Sequence, residues 1–475
     1  MKNTVCKTIL VFLLIVTVYR YVNSYYETLS KWSLTLTLST VLFSSIIFLL
    51  LKNENQQELK GNYYQISTIF VIGYIIVHFF EYLAFVIGEH TSIIDIEFVD
   101  PSYVNGAALV SCACLISFYI GSLFVKSGFS EKVRNRTVSS GNLLEYIMIV
   151  SIIVFYVSAG DAYFSGGYGE AMNVTGMSVF AELSQTIIVG AIVARSAIIV
   201  YNNKHTTFIT YTRQFPLLYY ISIFTYCYLV LISGDRGPIL QCAICYVTPY
   251  FFVGKRKLKA KYAVAFLCFG ALLFSLLGTV RSMEGSLNID KVVEAQKFRN
   301  ERYADDNIIF TSTAELSNVV RAYHVIYYFS ETKYIVYGAG FINQFLGIIP
   351  GLRFFVYPLL GINDTEITTA RLSTVLLKQD HGMGSTCVAD TYFNFGFYGS
   401  VIVFFFVGVL FRKMDISAYK NLNRQNPFVV CATICYMMFA IYIGRGYLSS
   451  PINILAYSWI LFVLNERITR KKINH

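Results

Sequence analysis

Apolar residues in this chain gather into runs of about 17 to 25, the length a helix needs to cross about 30 Å of hydrocarbon. The runs fall at 5–20, 32–51, 64–88, 103–125, 142–159, 177–200, 216–233, 237–253, 262–280, 388–411, 428–444 and 447–464. They predict an all-α, polytopic membrane bundle of about twelve transmembrane helices. Residues 1–280 would hold nine spans, 281–387 a long loop, and 388–475 three spans and a basic tail. Composition agrees, since 55% of the 475 residues are hydrophobic and 14% are charged, against about 25% charged in a soluble domain. That balance excludes a disordered chain, a secreted disulfide scaffold and a soluble nucleic-acid binder, despite a net charge of +10.

The position of the cations orients the chain, because basic segments resist translocation. Five Lys and Arg lie in 255–261, and four each in 126–136, 412–424 and 467–472. The alternate loops 89–102 and 160–176 have none, but carry Glu89, Asp95, Glu97, Asp100, Asp161 and Glu170. Both termini are therefore expected on the cytoplasmic side, with loop 281–387 outside. No small-x-small cleavage site follows the first apolar run, which reads as a span rather than a signal peptide. Eight of ten cysteines fall inside spans, Cys6 lies at the inner end of the first and Cys387 alone near the outer loop, so no disulfide is drawn, and the pair Cys242 and Cys245 reads as helix packing. Internal repeats of the transporter kind are not apparent.

A connection as long as 281–387 is usually functional. Within it, Ser312 to Glu315 (STAE) reads as a capping box. Leu316, Val319, Val320, Tyr323, Ile326 and Tyr327 follow at helical spacing, with Asn318, Arg321 and His324 on the opposite face. From Tyr334 to Ile362 the loop is apolar but interrupted by Gly338, Gly340, Pro350, Gly351 and Pro358. That pattern predicts short interfacial or re-entrant amphipathic helices lying against the bundle.

Four sets of polar residues carry candidate chemistry. Ser233 to Pro238 (SGDRGP) sets Arg236 in a two-glycine turn at the outer surface, against the charge trend, where a guanidinium suits bidentate contact with phosphate oxygens. Arg281 and Arg445 follow spans nine and eleven at the same level, and a cation cluster without an acidic partner calls for an anionic ligand. The third set is Arg371, Asp380 and His381, followed by Gly382 to Gly399 (GMGSTCVADTYFNFGFYG). There His381 titrates near neutrality and Asp390 begins span ten, so either can act as general base toward a hydroxyl. The fourth is His78 and Glu81, three apart in span three, for which function competes with snorkelling to the interface. No metal-binding motif or Gly-rich phosphate loop occurs.

The chain resembles the Wzy-type oligosaccharide repeat-unit polymerases, or O-antigen polymerases. The resemblance rests on the G-D-R-G turn, the late long loop, Ile349 to Pro358 (IPGLRFFVYP) and an A-(D/E)-x-Y-x-N-F-G pattern matched by Ala389, Asp390, Tyr392, Asn394, Phe395 and Gly396. An R-x10-G spacing runs from Arg371 to Gly382. The resemblance implies a metal-independent glycosyltransferase without cofactor, working on undecaprenyl-diphosphate-linked repeat units at the outer face of the bacterial inner membrane. It would build an O-antigen or capsule beside the flippase and chain-length regulator of its pathway. Arg236, Arg281 and Arg445 would grip the leaving diphosphate, with Arg371, Arg321 and Arg353 contributing from the loop. Asp390 or His381 would be the base, and His324 and Asn394 lesser members of the site.

Three rivals define the contrast. A lipid-linked oligosaccharide flippase or other transporter needs a polar cavity through the membrane, whereas charged residues here cluster at the outer ends of spans. An O-antigen ligase differs in its acceptor; the related ligases carry His-Asn about eleven residues before the position of Gly396, where this chain has Ser385. A noncatalytic scaffold would tolerate loss of Arg236.

Overall fold

The computed structural model describes residues 2–24, 29–54, 56–89, 102–130, 138, 141–164, 177–202, 207–233, 235, 237–259, 261–263, 317–379 and 382–473. All regular structure among them is helical. Before the long loop come α1 (Lys2–Val22), α2 (Lys31–Leu51), α3 (Ile66–Ile87), α4 (Ser102–Phe124), α5 (Leu143–Phe164), α6 (Met177–Asn202), α7 (Phe208–Thr212), α8 (Leu217–Ile232) and α9 (Gly237–Val253). The loop supplies α10 (Val320–Thr332), α11 (Ala339–Leu346), α12 (Leu352–Leu360), α13 (Asp364–Ile367) and α14 (Thr369–Leu376). Last come α15 (Cys387–Asn421), α16 (Pro427–Phe439) and α17 (Pro451–Ile473).

Seven described helices are long and apolar enough to cross a membrane, and α8, α9 and α16 are shorter apolar helices. This is a polytopic helical membrane protein. Of the twelve predicted spans, residues 264–280 of the ninth lie outside the described residues. Other boundaries shift for local reasons. The tenth helix runs on to Asn421, through the predicted loop at 412–424, because Arg412 and Asp415 are buried rather than solvated. The eleventh stops at Phe439, before the predicted 444, and leads into a 3-10 turn, Ile443–Arg445. The twelfth extends through the predicted tail to Ile473.

Helix α4 forms the centre of one group. Its Ala107, Ala108, Ala113, Leu115 and Ile116 are fully buried, and it packs on α15, α1 and α2. At the α4–α15 crossing a Cβ on Gly121 would strike the carbonyl of Phe405, and one on Gly408 the carbonyl of Phe118. Small residues thus set the approach, as membrane helices require where lipid is as apolar as a side chain. Helix α6 centres the second group, against α5, α9, α16 and α17. Here Cys242 and Cys245 are buried free thiols, and Ser196 Oγ donates to the Cys245 carbonyl at 3.3 Å, which agrees with packing.

Buried charges are met by hydrogen bonds, to an opposite charge in one case and to uncharged groups in others. Arg195 of α6 donates through Nε to Glu145 Oε1 at 2.6 Å and through Nη2 to Oε2 and to the Gly141 carbonyl. At the end of α15 distant from the loop, Arg412 donates to the Lys52 carbonyl and to Asn53 Oδ1, which lie just past α2. Asp415 accepts from the Ile66 amide at 2.7 Å and from the Ser67 amide at 3.2 Å, satisfying the first turn of α3 as a cap would. One turn of α15 thereby ties the end of α2 to the start of α3.

The long loop packs on the bundle. Helix α10 lies against α15, α4 and α3, and α14 against α10 and α15. Helices α11 and α12 are short and start from glycines in the left-handed region, Gly338 and Gly351. Their Ile342, Phe345, Phe355 and Leu359 are exposed, while Tyr457 of α17 donates to the Ile348 carbonyl at 3.0 Å. An apolar outer face and a bundle-tethered backbone are the features predicted for interfacial helices.

Candidate functional site

The matched pattern from Ala389 to Gly396 forms the first turns of α15. Thr386 caps the helix, its hydroxyl accepting from the Ala389 amide at 3.0 Å. Asp390 sits one turn in and is 1% exposed. Gly396 breaks the helix with φ 64° and ψ −168°, a conformation that favours glycine. The break displaces the amides that would close the next turn, so the carbonyls of Phe393 and Asn394 turn to the loop. They accept from Val336 at 2.9 Å and Gly338 at 3.0 Å.

Side chains reinforce that junction. Asn394 donates through Nδ2 to the Asp390 carbonyl at 2.8 Å and to Asp390 Oδ1 at 3.3 Å, while its Oδ1 accepts from the Gly340 amide at 2.9 Å. Gln344 of α11 brings Nε2 to 3.5 Å from Asp390 Oδ2. The Asp390 carboxylate is thus framed by two amides at the seam of the bundle and the loop. Tyr392 donates to Glu331 at the end of α10 and shares a 2.7 Å hydrogen bond with Tyr21 of α1. Asp, Tyr, Asn and Gly of the pattern therefore occupy one joint, in which α1, α10, α11 and α15 meet.

The sequence-derived candidates fall at different distances from it. Arg236, Arg281, Asp380 and His381, and the capping box 312–315, lie outside the described residues. Next to Arg236 in the sequence, Asp235 Oδ1 accepts from the Gly237 amide at 3.2 Å, one of the free amides that open α9. Arg371 and Arg445 are both exposed, and the Ala370 amide reaches Tyr447 Oη at 3.3 Å, which brings their two segments side by side. Helix α14 is also pinned to the segment before Asp390, by Ser373 to the Gly384 carbonyl and Thr369 to Ser385. Arg353 lies over Gly347, and its Nε is buried without a partner among the described residues. Arg321 is partly buried on α10.

His324 departs from the exposed face expected of it. It is fully buried, with Nε2 at 2.8 Å from Tyr82 Oη, and burial holds its pKa down at about 3. The cause is the packing of α10 on α3 and α4, which leaves the helix little free face. The same contact covers the fourth set. His78 and Glu81 are 1% and 5% exposed, and Ser317 donates to Glu81 Oε1 at 2.6 Å. Their burial under the loop removes the reading in which they snorkel to water.

Sequence reading missed Gln344, Glu331 and Tyr21. Gln344 had a faint signal, because Asn343, Gln344 and Arg353 are the only amide or charged side chains in the apolar stretch 334–362. Glu331 and Tyr21 had none, since their meeting with Tyr392 depends on tertiary contact. Among the described residues, no three His, Cys, Asp or Glu side chains gather as a metal site would need.

A multi-pass helical bundle with a long, packed loop and a buried carboxylate at their joint defines the class, a polytopic helical membrane protein. From residue 5 to residue 471 the chain matches the model of the O-antigen polysaccharide polymerase Wzy family, and it belongs to that family. No curated protein and no solved structure matches it. Members of this family polymerise O-antigen repeat units.

Proposed function

We propose that this protein joins undecaprenyl-diphosphate-linked oligosaccharide repeat units at the outer face of the bacterial inner membrane, without a metal ion. The growing glycan leaves its lipid diphosphate as a hydroxyl of the incoming unit attacks its anomeric carbon. The C–O bond to the diphosphate breaks, a new glycosidic C–O bond forms, and the hydroxyl proton passes to a base. The observation that carries this reading is the seat of Asp390, a buried carboxylate held at the joint of bundle and loop in a chain of this family.

Asp390 is the proposed base, with His381 the other candidate. Arg236, Arg281, Arg371 and Arg445 bind the departing diphosphate, which gains negative charge as the bond breaks; preorganised guanidinium donors are matched to that charge. The adjoining segments of Arg371 and Arg445 support such a cluster. Loop helices packed over the joint exclude water and so limit hydrolysis. A flippase and a chain-length regulator act beside it in this reading.

The test uses purified protein, EDTA, and lipid-linked single repeats extracted from a strain deleted for this protein. Wild type is expected to give a ladder of products in the chelator. Arg236→Ala and Asp390→Asn are expected to abolish it, and His381→Ala to decide between the two bases. A ladder that survives Arg236→Ala removes the arginine turn from the site; one that needs added divalent cation removes the metal-free mechanism.

A further inference from the structure

The carboxylate of Asp390 faces two amides that differ in one respect. Asn394 has both of its amide atoms engaged, on Asp390 and on the Gly340 backbone. Gln344 does not. Its Nε2 is 3.5 Å from Asp390 Oδ2, at the outer limit of a hydrogen bond, and its Oε1 is buried with no partner among the described residues. A buried acceptor left unpaired is costly and calls for an explanation, of which use by a ligand is one.

The backbone around Gln344 is fixed. Val336, Gly338 and Gly340 donate to Phe393, Asn394 and the Asn394 side chain, and Asn343 donates to Thr368 at 3.0 Å. The Gln344 side chain itself is only partly buried. Rotation about its own torsions therefore moves the amide off the carboxylate without displacing α11.

We propose that Gln344 is a substrate-binding residue of this site, whose amide reads two neighbouring hydroxyls of the acceptor sugar. One hydroxyl enters between Nε2 and Asp390 Oδ2, accepting from the amide and donating to the carboxylate. The next hydroxyl on the ring donates to Oε1. The amide now stands in the place that the first hydroxyl would take, which accounts for both the long contact and the idle oxygen. A carboxamide suits this task because it carries a donor and an acceptor side by side, as a vicinal hydroxyl pair does.

This inference rests on Asp390 serving the attacking hydroxyl, and the experiment separates the two. Initial rates are measured over a range of concentrations of lipid-linked single repeats from the deletion strain, with Gln344→Ala, Gln344→Glu and Asp390→Asn. Thermal unfolding in detergent is followed for each. Gln344→Ala is expected to raise the apparent KM about tenfold, the loss of roughly one good hydrogen bond, with kcat within about threefold of wild type. Gln344→Glu sets a second carboxylate against Asp390, so its KM should rise at least as far as that of Gln344→Ala. An unchanged KM in Gln344→Ala, or a fall in kcat and unfolding temperature alone, overturns the proposal even where Asp390→Asn is inactive. Wild-type turnover by Asp390→Asn overturns the role of Asp390 and this inference with it.

Discussion

Single residues in this protein are decided by what burial demands of them. Arg195 and Glu145 are 1% and 0% exposed and hydrogen-bonded at two points. Removing either partner strands a charge away from water, at a cost of about 3–5 kcal/mol, while replacing both with apolar groups costs far less. Thermal unfolding in detergent should show Glu145→Ala well below wild type and the pair Glu145→Leu, Arg195→Met close to it. His324 poses the opposite problem. Its folded pKa of about 3 lies below its ordinary 6.5, so the unfolded chain binds the extra proton as pH falls through that interval. Its contribution to stability is complete above about 6.5 and is lost progressively toward 3. Beside it stand Tyr82 of α3, hydrogen-bonded and stacked on its ring, and Tyr323 of α10. From pH 7 to pH 4 the melting temperature of wild type should fall relative to that of His324→Phe; a constant gap would remove His324 as a source of the dependence.

At the scale of elements, the most consequential feature is a break in a helix. Gly396 turns two carbonyls of α15 outward to receive Val336 and Gly338, and so joins the loop to the bundle. An alanine there must adopt φ 64° or straighten the helix. Adopting it, in a region essentially confined to glycine, costs about 1–3 kcal/mol, and straightening forfeits both hydrogen bonds. Gly396→Ala is expected to lower polymer yield at least tenfold while α4–α15 packing, and hence insertion into membranes, persists; protease cleavage near 336–347 should rise in membranes carrying it. The sequence showed the helix at this place and the pattern Asp390, Tyr392, Asn394, Gly396, but not why these residues recur together. Helix existence is local, written in twelve apolar runs. The joint is not local: Tyr392 meets Glu331 and Tyr21, Asn394 meets Gly340, and His324 meets Tyr82 across 242 residues. Helix ends misread for the same reason. Arg412 and Asp415 have the charge of a solvated loop, and only their partners at Lys52, Asn53, Ile66 and Ser67 show them as part of a buried helix.

For the whole molecule the decisive question is which side of the membrane the loop occupies, because lipid-linked repeats must present their sugars to it. The distribution of cations gives one answer: 255–261 and 412–424 inside, 281–387 outside. Two positions far apart along the helices report it. Tyr337 of the loop is 84% exposed, and Lys259 lies exposed in the basic turn after α9. Most native thiols are buried, which keeps their background reaction small. Tyr337→Cys is expected to react with a membrane-impermeant maleimide in intact spheroplasts, and Lys259→Cys only after the membrane is opened. The reverse pattern would place Asp390, Gln344 and the exposed arginines of 371 and 445 in the cytoplasm. No assembly of repeats at the outer face could then use this joint, whatever its geometry. With the expected pattern, the same two variants should still polymerise, since neither side chain contributes to the carboxylate, the amides or the cations of the proposed site.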